Sequence, residues 1–200
     1  MGKILLATNN PGKVREFRRL LEDTAFTAVT PAEAGLCLQV EETGSSYAEN
    51  ALLKARAFAS AGRCLALADD SGIEVDALDG GPGMLSARYG GPGLDDEQRT
   101  ALLLMDLAGV PEGQRTARYR AVVALAWPGD TGVQSACFEG VQEGSIAFAA
   151  RGKGGFGYDP VFLVAGGRTQ AELSPEEKDA ISHRGQAVRA AMAFLAECPG

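Results

Sequence analysis

The sequence has few of the residues and runs that mark metal-binding, secreted or membrane proteins. It contains one histidine and four cysteines in 200 residues, with no Cys-x-x-Cys pair, so a zinc site is not expected. Its longest unbroken apolar runs, 121–127 and 190–196, are far shorter than the roughly twenty residues of a membrane-spanning helix. The N-terminal apolar stretch ends at Thr8, which is too early for a signal peptide. We therefore expect a cytoplasmic protein with reduced cysteines.

Positive charge is also scarce, with 19 Lys and Arg against 26 Asp and Glu and a net charge of -7. Such a chain lacks the extended positive surface that nucleic-acid polymers and anionic membranes require, so neither is an expected partner. A small anion would need locally grouped bases or a bridging cation. The composition, 46% hydrophobic and 22% charged, is that of a globular protein. No repeat or linker interrupts it, which predicts one folding unit over residues 1–200.

The order of the predicted elements indicates an α/β fold with a mixed sheet. Apolar or β-branched runs predict strands at 3–8, 24–30, 65–68, 118–127, 134–141 and 160–164, the fourth and fifth forming an antiparallel pair. Capping signals and apolar periodicity predict helices from Asn10-Pro11, from Ser46 to Gly62, over 95–108, from Ser174-Pro175, and near the C-terminus, where Val188, Ala191, Met192 and Leu195 form an apolar face. The segments 46–49 and 174–177 match the capping box, in which the serine caps the third helical N–H and the glutamate side chain bonds back to the serine N–H. The glycine-rich segment 80–93 is predicted to be a loop.

The first candidate site is the strand-to-helix junction Thr8–Lys13. The first N–H groups of a helix are unpaired and carry partial positive charge, which makes such a junction a phosphate-binding place. Gly12 allows close backbone approach, and Lys13 adds a full charge. An ordinary capped helix with a solvated Lys13 is the alternative.

The second candidate is Asp69-Asp70, at the predicted end of the strand 65–68. Ligands of open α/β sheets bind at this edge, and Mg²⁺ prefers one or two carboxylates together with substrate oxygens. A simple turn is the alternative. The acidic segment 41–44 is a further carboxylate source or a solvated turn. Asn50 and Lys54 share one helix face and could reach the same ligand.

Two later segments suggest recognition of a flat, charged ligand. Segment 152–160 combines four glycines with Phe156 and Tyr158, which suits backbone approach and stacking, although a flexible loop is equally compatible. Lys178, His183 and Arg184 form a local positive cluster, which fits anion or base recognition, although a lone histidine is usually structural.

Seven motifs in this order resemble the inosine triphosphate pyrophosphatase family, over residues 3 to 195. They are T-x-N-x-x-K (8–13), E-E-T-G (41–44), E-N-A-L-x-K-A (49–55), A-D-D-S-G (68–72), P-G-x-x-S-A-R-Y (82–89), G-x-G-G-F-G-Y-D-P (152–160) and S-H-R-G (182–185). Each motif alone is weak, but the ordered set is specific. Departures are small: Asn9 stands where many relatives have glycine, and Met84-Leu85 replaces the more usual Ile-Tyr.

The resemblance implies a Mg²⁺-dependent homodimer that hydrolyses ITP, dITP or XTP to the monophosphate and pyrophosphate. It also implies an elongated mixed sheet flanked by helices, in two lobes with the active-site cleft between them. A pyrophosphatase for modified pyrimidine triphosphates on a related fold, or a nucleotide-binding regulator without turnover, are the rival interpretations.

The family's functional residues carry over to matching positions of this chain. Glu41 and Asp70 would bind Mg²⁺, and Asp70, as general base, and Lys54 would be catalytic. The triphosphate would lie on Thr8, Asn9, Asn10, Pro11, Gly12 and Lys13. Other nucleotide contacts would come from Ser71, Phe156, Gly157, Tyr158, Asp159, Lys178, His183 and Arg184.

Overall fold

A six-stranded mixed sheet organises the chain in the computed structural model, which describes residues 2 to 197. The strands are β1 (Gly2–Leu6), β2 (Phe26–Val29), β3 (Ala66–Val75), β4 (Thr116–Gly129), β5 (Gly132–Ile146) and β6 (Phe162–Leu163). The helices are α1 (Pro11–Leu21), α2 (Tyr47–Gly62), α3 (Asp96–Asp106), α4 (Pro175–Ile181) and α5 (His183–Glu197). Within the predicted loop 80–93, Gly83–Arg88 forms a short 3₁₀ helix.

The strand order is β2-β1-β3-β4-β5-β6. β1 pairs in parallel with both β2 and β3, whereas β5 and β6 are antiparallel. β4 and β5 are neighbours joined by two residues, and a connection that short requires antiparallel strands. The predicted α/β class with a mixed sheet is therefore confirmed.

Side-chain caps explain where several helices begin. The Asn10 side chain accepts a hydrogen bond from the Lys13 N–H at 3.1 Å, and Pro11 occupies the first helical position, as predicted. Ser174 forms the predicted reciprocal capping box of α4. Ser46 caps α2 as predicted, but the expected return bond is wrong, because the carboxylate of Glu49 accepts from the Ser45 N–H instead.

The predicted end of the strand 65–68 is also wrong, because β3 continues to Val75. Asp69 and Asp70 therefore lie within a strand, not in the turn after it. Both are buried, and buried carboxylates in a strand require compensation that local sequence does not show. The partners come from other elements, as described below.

The chain forms two units, each with its own apolar core. Within the described residues, the first unit holds residues up to 70, 121–140 and from 184 onward, and the second holds 71–120 and 141–183. The first core includes Ile4, Phe17, Leu67, Val123 and Val188, and the second includes Ile73, Leu107, Tyr119, Phe162 and Leu173. The single folding unit and the two-lobed form with a cleft stay predictions.

Two sequence expectations concern cysteines and membranes. Cys37, Cys64 and Cys137 are free thiols, and Cys198 lies outside the described residues. Among residues 2–197, no helix is long and apolar enough to cross a membrane.

Candidate active site

The segment Thr8–Lys13 folds as the capped N-terminus of α1. The Thr8 hydroxyl accepts from the Asn10 N–H at 3.2 Å, and the Asn10 side chain caps the helix at Lys13. Asn9, Asn10 and Pro11 are exposed, whereas Gly12 is buried. The predicted phosphate-binding segment is thus an accessible helix N-terminus, with the partial positive charge that this end carries.

Asp69 lies at the centre of a buried charge network in the first unit. The Lys13 ammonium is 3.1 Å from Asp69 Oδ1, and two nitrogens of Arg184 donate to Asp69 Oδ2 at 3.0 and 3.2 Å. The Arg184 guanidinium also donates to Glu16, a residue that sequence reasoning missed. Asp69, Arg184 and Glu16 are nearly inaccessible to solvent. The network joins α1, β3 and the first turn of α5.

The charges of this network oppose the effects of burial on ionisation. Burial favours the neutral form of Asp69, but Lys13 and Arg184 outweigh it and hold the pKa of Asp69 below its usual range. Burial lowers the pKa of Lys13, partly offset by Asp69. Burial acts the same way on Arg184, but Asp69 and Glu16 raise its pKa above the ordinary value. Asp69 is therefore a stable anion that neutralises two cations.

Asp70 has different partners, because successive side chains of a strand point to opposite faces. Its Oδ2 accepts from the Asn50 side-chain amide at 3.2 Å, and its Oδ1 is 3.6 Å from the Lys54 ammonium. Asn50 and Lys54 are both on α2, as the i, i+4 spacing predicted. Lys54 also donates to Glu42 at 2.6 Å.

Burial raises the pKa of Asp70, although Lys54 and Lys13 act in the opposite direction. For Lys54, burial would lower the pKa, but the charges of Asp69, Asp70 and Glu42 outweigh it and raise the value. Lys54 therefore stays cationic beside a carboxylate that accepts a proton more readily than an ordinary aspartate.

The two glutamates of segment 41–44 differ in their surroundings. Glu41, the predicted metal ligand, is exposed and has no hydrogen bond or ion pair with any residue between 2 and 197. Glu42, which the prediction omitted, is tied to Lys54 and so belongs to the Asp70 group. Because Glu41 and Glu42 are adjacent and identical, the sequence does not indicate which of them contacts Lys54.

The oxygen donors of this group are compatible with Mg²⁺. In the part of the chain that the structure describes, no three His, Cys, Asp or Glu side chains gather as a complete metal cage. Mg²⁺ does not need one, because it uses one or two carboxylates and takes its other ligands from water and substrate phosphates. Asp70 supplies one carboxylate, and the acidic segment 41–44, whose Glu42 contacts Lys54 beside Asp70, is a source of another. These groups fit that requirement.

In the second unit, Asp159 holds two other predicted nucleotide-binding residues, Phe156 and Lys178, in one group. Its Oδ2 accepts from the Phe156 N–H at 2.8 Å and from the Lys178 ammonium. That ammonium lies 5.2 Å from the centroid of the Phe156 ring, a cation–π distance. Lys178 and Asp159 are buried. A Cβ at Gly155 would fall 1.9 Å from Asp159 Oδ2, so this position admits only glycine.

The glycine-rich segment is fixed by contacts that sequence reasoning missed. The Gly157 N–H donates to Asp96 at 2.9 Å, and its carbonyl accepts from the Thr100 hydroxyl at 3.3 Å, both from α3. The Tyr158 hydroxyl donates to the Ser86 carbonyl at 2.8 Å. The segment is thus hydrogen-bonded to other parts of the second unit at Gly157 and Tyr158.

His183 is the first residue of α5 and is buried. Its imidazole stacks on the ring of Tyr119, with centroids 4.6 Å apart and planes 8° from parallel. The Tyr119 hydroxyl lies 3.4 Å from Asp159 Oδ1. Ser71 is half-buried in β3. The sequence pattern does not reveal that Tyr119 contacts His183 and Asp159, because any apolar residue of β4 fits the same strand alternation.

Known proteins are similar to nearly the whole chain in sequence and in fold. It is 44% identical to a dITP/XTP pyrophosphatase of Bacillus subtilis, over 94% of each chain, and 50% identical to one of Methylococcus capsulatus, over 92% of each. The structure of a HAM1 protein from Coxiella burnetii has a TM-score of 0.86 and 41% identity, covering 99% of this chain and 100% of that one. The sequence model of the Ham1 family matches residues 4–194. The chain belongs to the Ham1 family.

Proposed function

We propose that this protein hydrolyses the deaminated purine nucleoside triphosphates ITP, dITP and XTP to the monophosphate and pyrophosphate. Relatives named dITP/XTP pyrophosphatase match the chain along nearly its full length. The structural observation that carries the proposal is the pair of buried aspartates in β3, which face Lys13 and Arg184 on one side and Lys54 on the other. Removal of such nucleotides from the cytoplasmic pool would be its cellular role.

The triphosphate is assigned to the helix N-terminus Thr8–Lys13. A nucleoside triphosphate carries roughly four negative charges near neutral pH, which repel an attacking nucleophile. The accessible end of α1 and the ammonium groups of Lys13 and Lys54 would offset that charge and orient the chain of phosphates. Positioning and charge stabilisation account for most catalysis of phosphoryl transfer.

Asp70 is assigned two roles, as metal ligand and as the group that orients and deprotonates the attacking water. Glu41 would share the metal, and Glu42 is a further carboxylate of the same group. When bound, Mg²⁺ would neutralise phosphate charge and favour ionisation of water. Chelation with EDTA should then abolish turnover, and added Mg²⁺ should restore it.

The purine base is assigned to the second group, with Phe156 for stacking and Lys178 and His183 as polar contacts. Hypoxanthine and xanthine carry an oxygen where adenine carries an amine, so donors aimed at that oxygen favour them. A buried donor left without an acceptor costs about 1–3 kcal/mol. Arg184 is proposed as another such donor, but it also neutralises Asp69, so its removal would disturb the phosphate site too.

Release of pyrophosphate from a panel of triphosphates tests the proposal. We expect kcat/KM for ITP, dITP and XTP to exceed that for ATP by at least about thirtyfold, the value of two unmatched donors. A modified pyrimidine triphosphate as best substrate would indicate the pyrimidine rival. Tight ITP binding without pyrophosphate release would indicate a regulator. Size-exclusion chromatography with light scattering would test the proposed homodimer.

A further inference from the structure

Tyr119 contacts the groups assigned to the purine base without being one of them. It lies on β4, is 8% exposed and contacts two rings. The His183 imidazole stacks on it at 4.6 Å and 8°, and the Phe162 ring lies at 4.6 Å and 51°. The Tyr119 ring is therefore nearly parallel to the imidazole of the only histidine in the sequence.

The hydroxyl of Tyr119 reaches the other part of this group. Its oxygen lies 3.4 Å from Asp159 Oδ1, and Asp159 binds both the Phe156 N–H and the Lys178 ammonium through Oδ2. A contact of 3.4 Å between oxygens is long for a hydrogen bond. The stack should therefore matter more than the hydroxyl.

We propose that Tyr119 is a positioning residue for recognition of the 6-oxo purine, because it fixes the plane of the His183 imidazole. The torsion that sets an imidazole plane is broad and poorly determined on its own. A parallel aromatic neighbour restricts it, so the ring nitrogens keep a constant direction toward a bound base. This inference rests on the proposed function, since it presumes that His183 contacts the base.

The test compares Tyr119→Phe, which keeps the stack and loses the hydroxyl, with Tyr119→Leu, which loses the stack. Leu107→Ala is the matched control, because it weakens the same apolar core without removing an aromatic ring. A second readout is independent of activity. Because the chain has a single histidine, each imidazole proton resonance in an NMR spectrum belongs to His183.

We expect Tyr119→Phe to keep the imidazole resonances at their wild-type positions, because the ring stacked on His183 is retained. The ratio of kcat/KM for ITP to that for ATP should stay within twofold of the wild-type value. Tyr119→Leu should move the imidazole resonances toward those of free histidine. It should also lower the ITP-to-ATP ratio about three- to tenfold, which corresponds to the interaction energy of one aromatic pair. The loss should lie in KM for ITP, with kcat changed less than twofold, because the base is remote from the reacting phosphates. Inosine monophosphate should perturb the His183 resonances less in Tyr119→Leu than in the wild type.

Two results would overturn the inference. One is a Tyr119→Leu protein with wild-type imidazole resonances and a wild-type ITP-to-ATP ratio. The other is an equal loss of that ratio in Leu107→Ala, which would assign the effect to stability alone. In both cases the wild type still hydrolyses ITP, whereas a wild type that releases no pyrophosphate from ITP would refute the proposed function itself.

Discussion

Asp69 and Asp70 are chemically identical neighbours whose pKa values shift in opposite directions. Asp69 faces Lys13 and Arg184, which hold its pKa below the usual range, whereas burial raises the pKa of Asp70. The difference follows from the alternation of side chains along β3. It separates a residue that supports the charge network from the one proposed as metal ligand and base.

Replacing Asp69 with asparagine should destabilise the protein. Asp69→Asn leaves the buried Arg184 and the half-buried Lys13 without their shared carboxylate, and breaking a buried ion pair at one partner costs about 3–5 kcal/mol. Urea unfolding at neutral pH measures the loss. Asp79→Asn is the control, because this exposed residue has the left-handed backbone that asparagine tolerates, so its free energy of unfolding should change by less than about 0.5 kcal/mol. Equal stability of the two variants would contradict the central role of Asp69.

Replacing Asp70 with asparagine should lower turnover of ITP below a tenth of the wild-type value. The new side chain can still accept the Asn50 hydrogen bond, so the fold is kept while the negative charge is lost. Steady-state pyrophosphate release, with circular dichroism as the check on folding, measures the effect. Turnover above a tenth would exclude Asp70 as the base. Recovery at raised Mg²⁺ would assign it to metal binding instead.

At the scale of elements, buried polar contacts secure the ends of α3 and β5. Arg115 precedes β4 and is 2% exposed. Its guanidinium donates to the carbonyls of Leu107 and Val110 after α3, and to those of Ile146 and Ala147 at the end of β5. The ring of Phe148 covers it at 4.5 Å. One side chain thus donates to backbone carbonyls at the ends of two elements.

Arg115→Met should therefore destabilise the protein by about 3 kcal/mol, because the carbonyls of the buried residues Ile146 and Ala147 lose this donor while the apolar volume is kept. Thermal or urea unfolding measures the change. Arg15→Ala is the matched control, since Arg15 is exposed on α1, and it should cost less than about 0.5 kcal/mol. A similar small cost for Arg115→Met would show that water replaces the guanidinium.

The N-terminus of α4 should give a pH-dependent contribution to stability. Hydrogen bonds from Arg168, and then from the Ser174 N–H, lower the pKa of Glu177. A lowered folded-state pKa means that the contribution is present above the ordinary glutamate value and is lost as the pH falls through the folded-state value. The urea midpoint of Glu177→Gln should lie below that of the wild type at pH 7, and the difference should shrink near pH 3. A difference independent of pH would contradict this origin.

At the scale of the whole molecule, a net charge of -7 accompanies a proposed anionic substrate. At physiological ionic strength the Debye length is about 8 Å, so a bound phosphate chain interacts mainly with nearby charges. The relevant charges are those of Lys13, Lys54 and Arg184 around the two aspartates.

Local charge, not net charge, should then set the KM for ITP. The double variant Asp79→Asn/Asp130→Asn makes the chain less negative by two charges at exposed positions and should leave KM within twofold. Lys13→Gln should raise KM at least about tenfold, the effect of losing one charge-assisted contact. Steady-state kinetics at 0.15 M salt compares the two. A larger change in KM for the double variant than for Lys13→Gln would favour long-range repulsion between the net negative charge and the substrate.

Local patterns in the sequence were sufficient for the mixed α/β class, most helix starts and the ordered motifs of the family. Asn10, Ser174 and their neighbours act over three or four residues, so their caps follow from sequence spacing. The i, i+4 spacing of Asn50 and Lys54 correctly predicted a shared face. These features depend on short-range geometry, which a linear pattern contains.

Tertiary structure alone decided which distant groups meet. Turn-forming residues predicted the end of β3 at Ala68, but Lys13 and Arg184 stabilise Asp69 inside a longer strand. Glu16 and Tyr119 resembled ordinary helix and strand residues until their partners, Arg184 and His183, were brought beside them. The compensation of a buried charge and the stacking of two rings are energies of pairs far apart in the chain. A sequence pattern specifies the members of such pairs, and only the fold specifies the pairing.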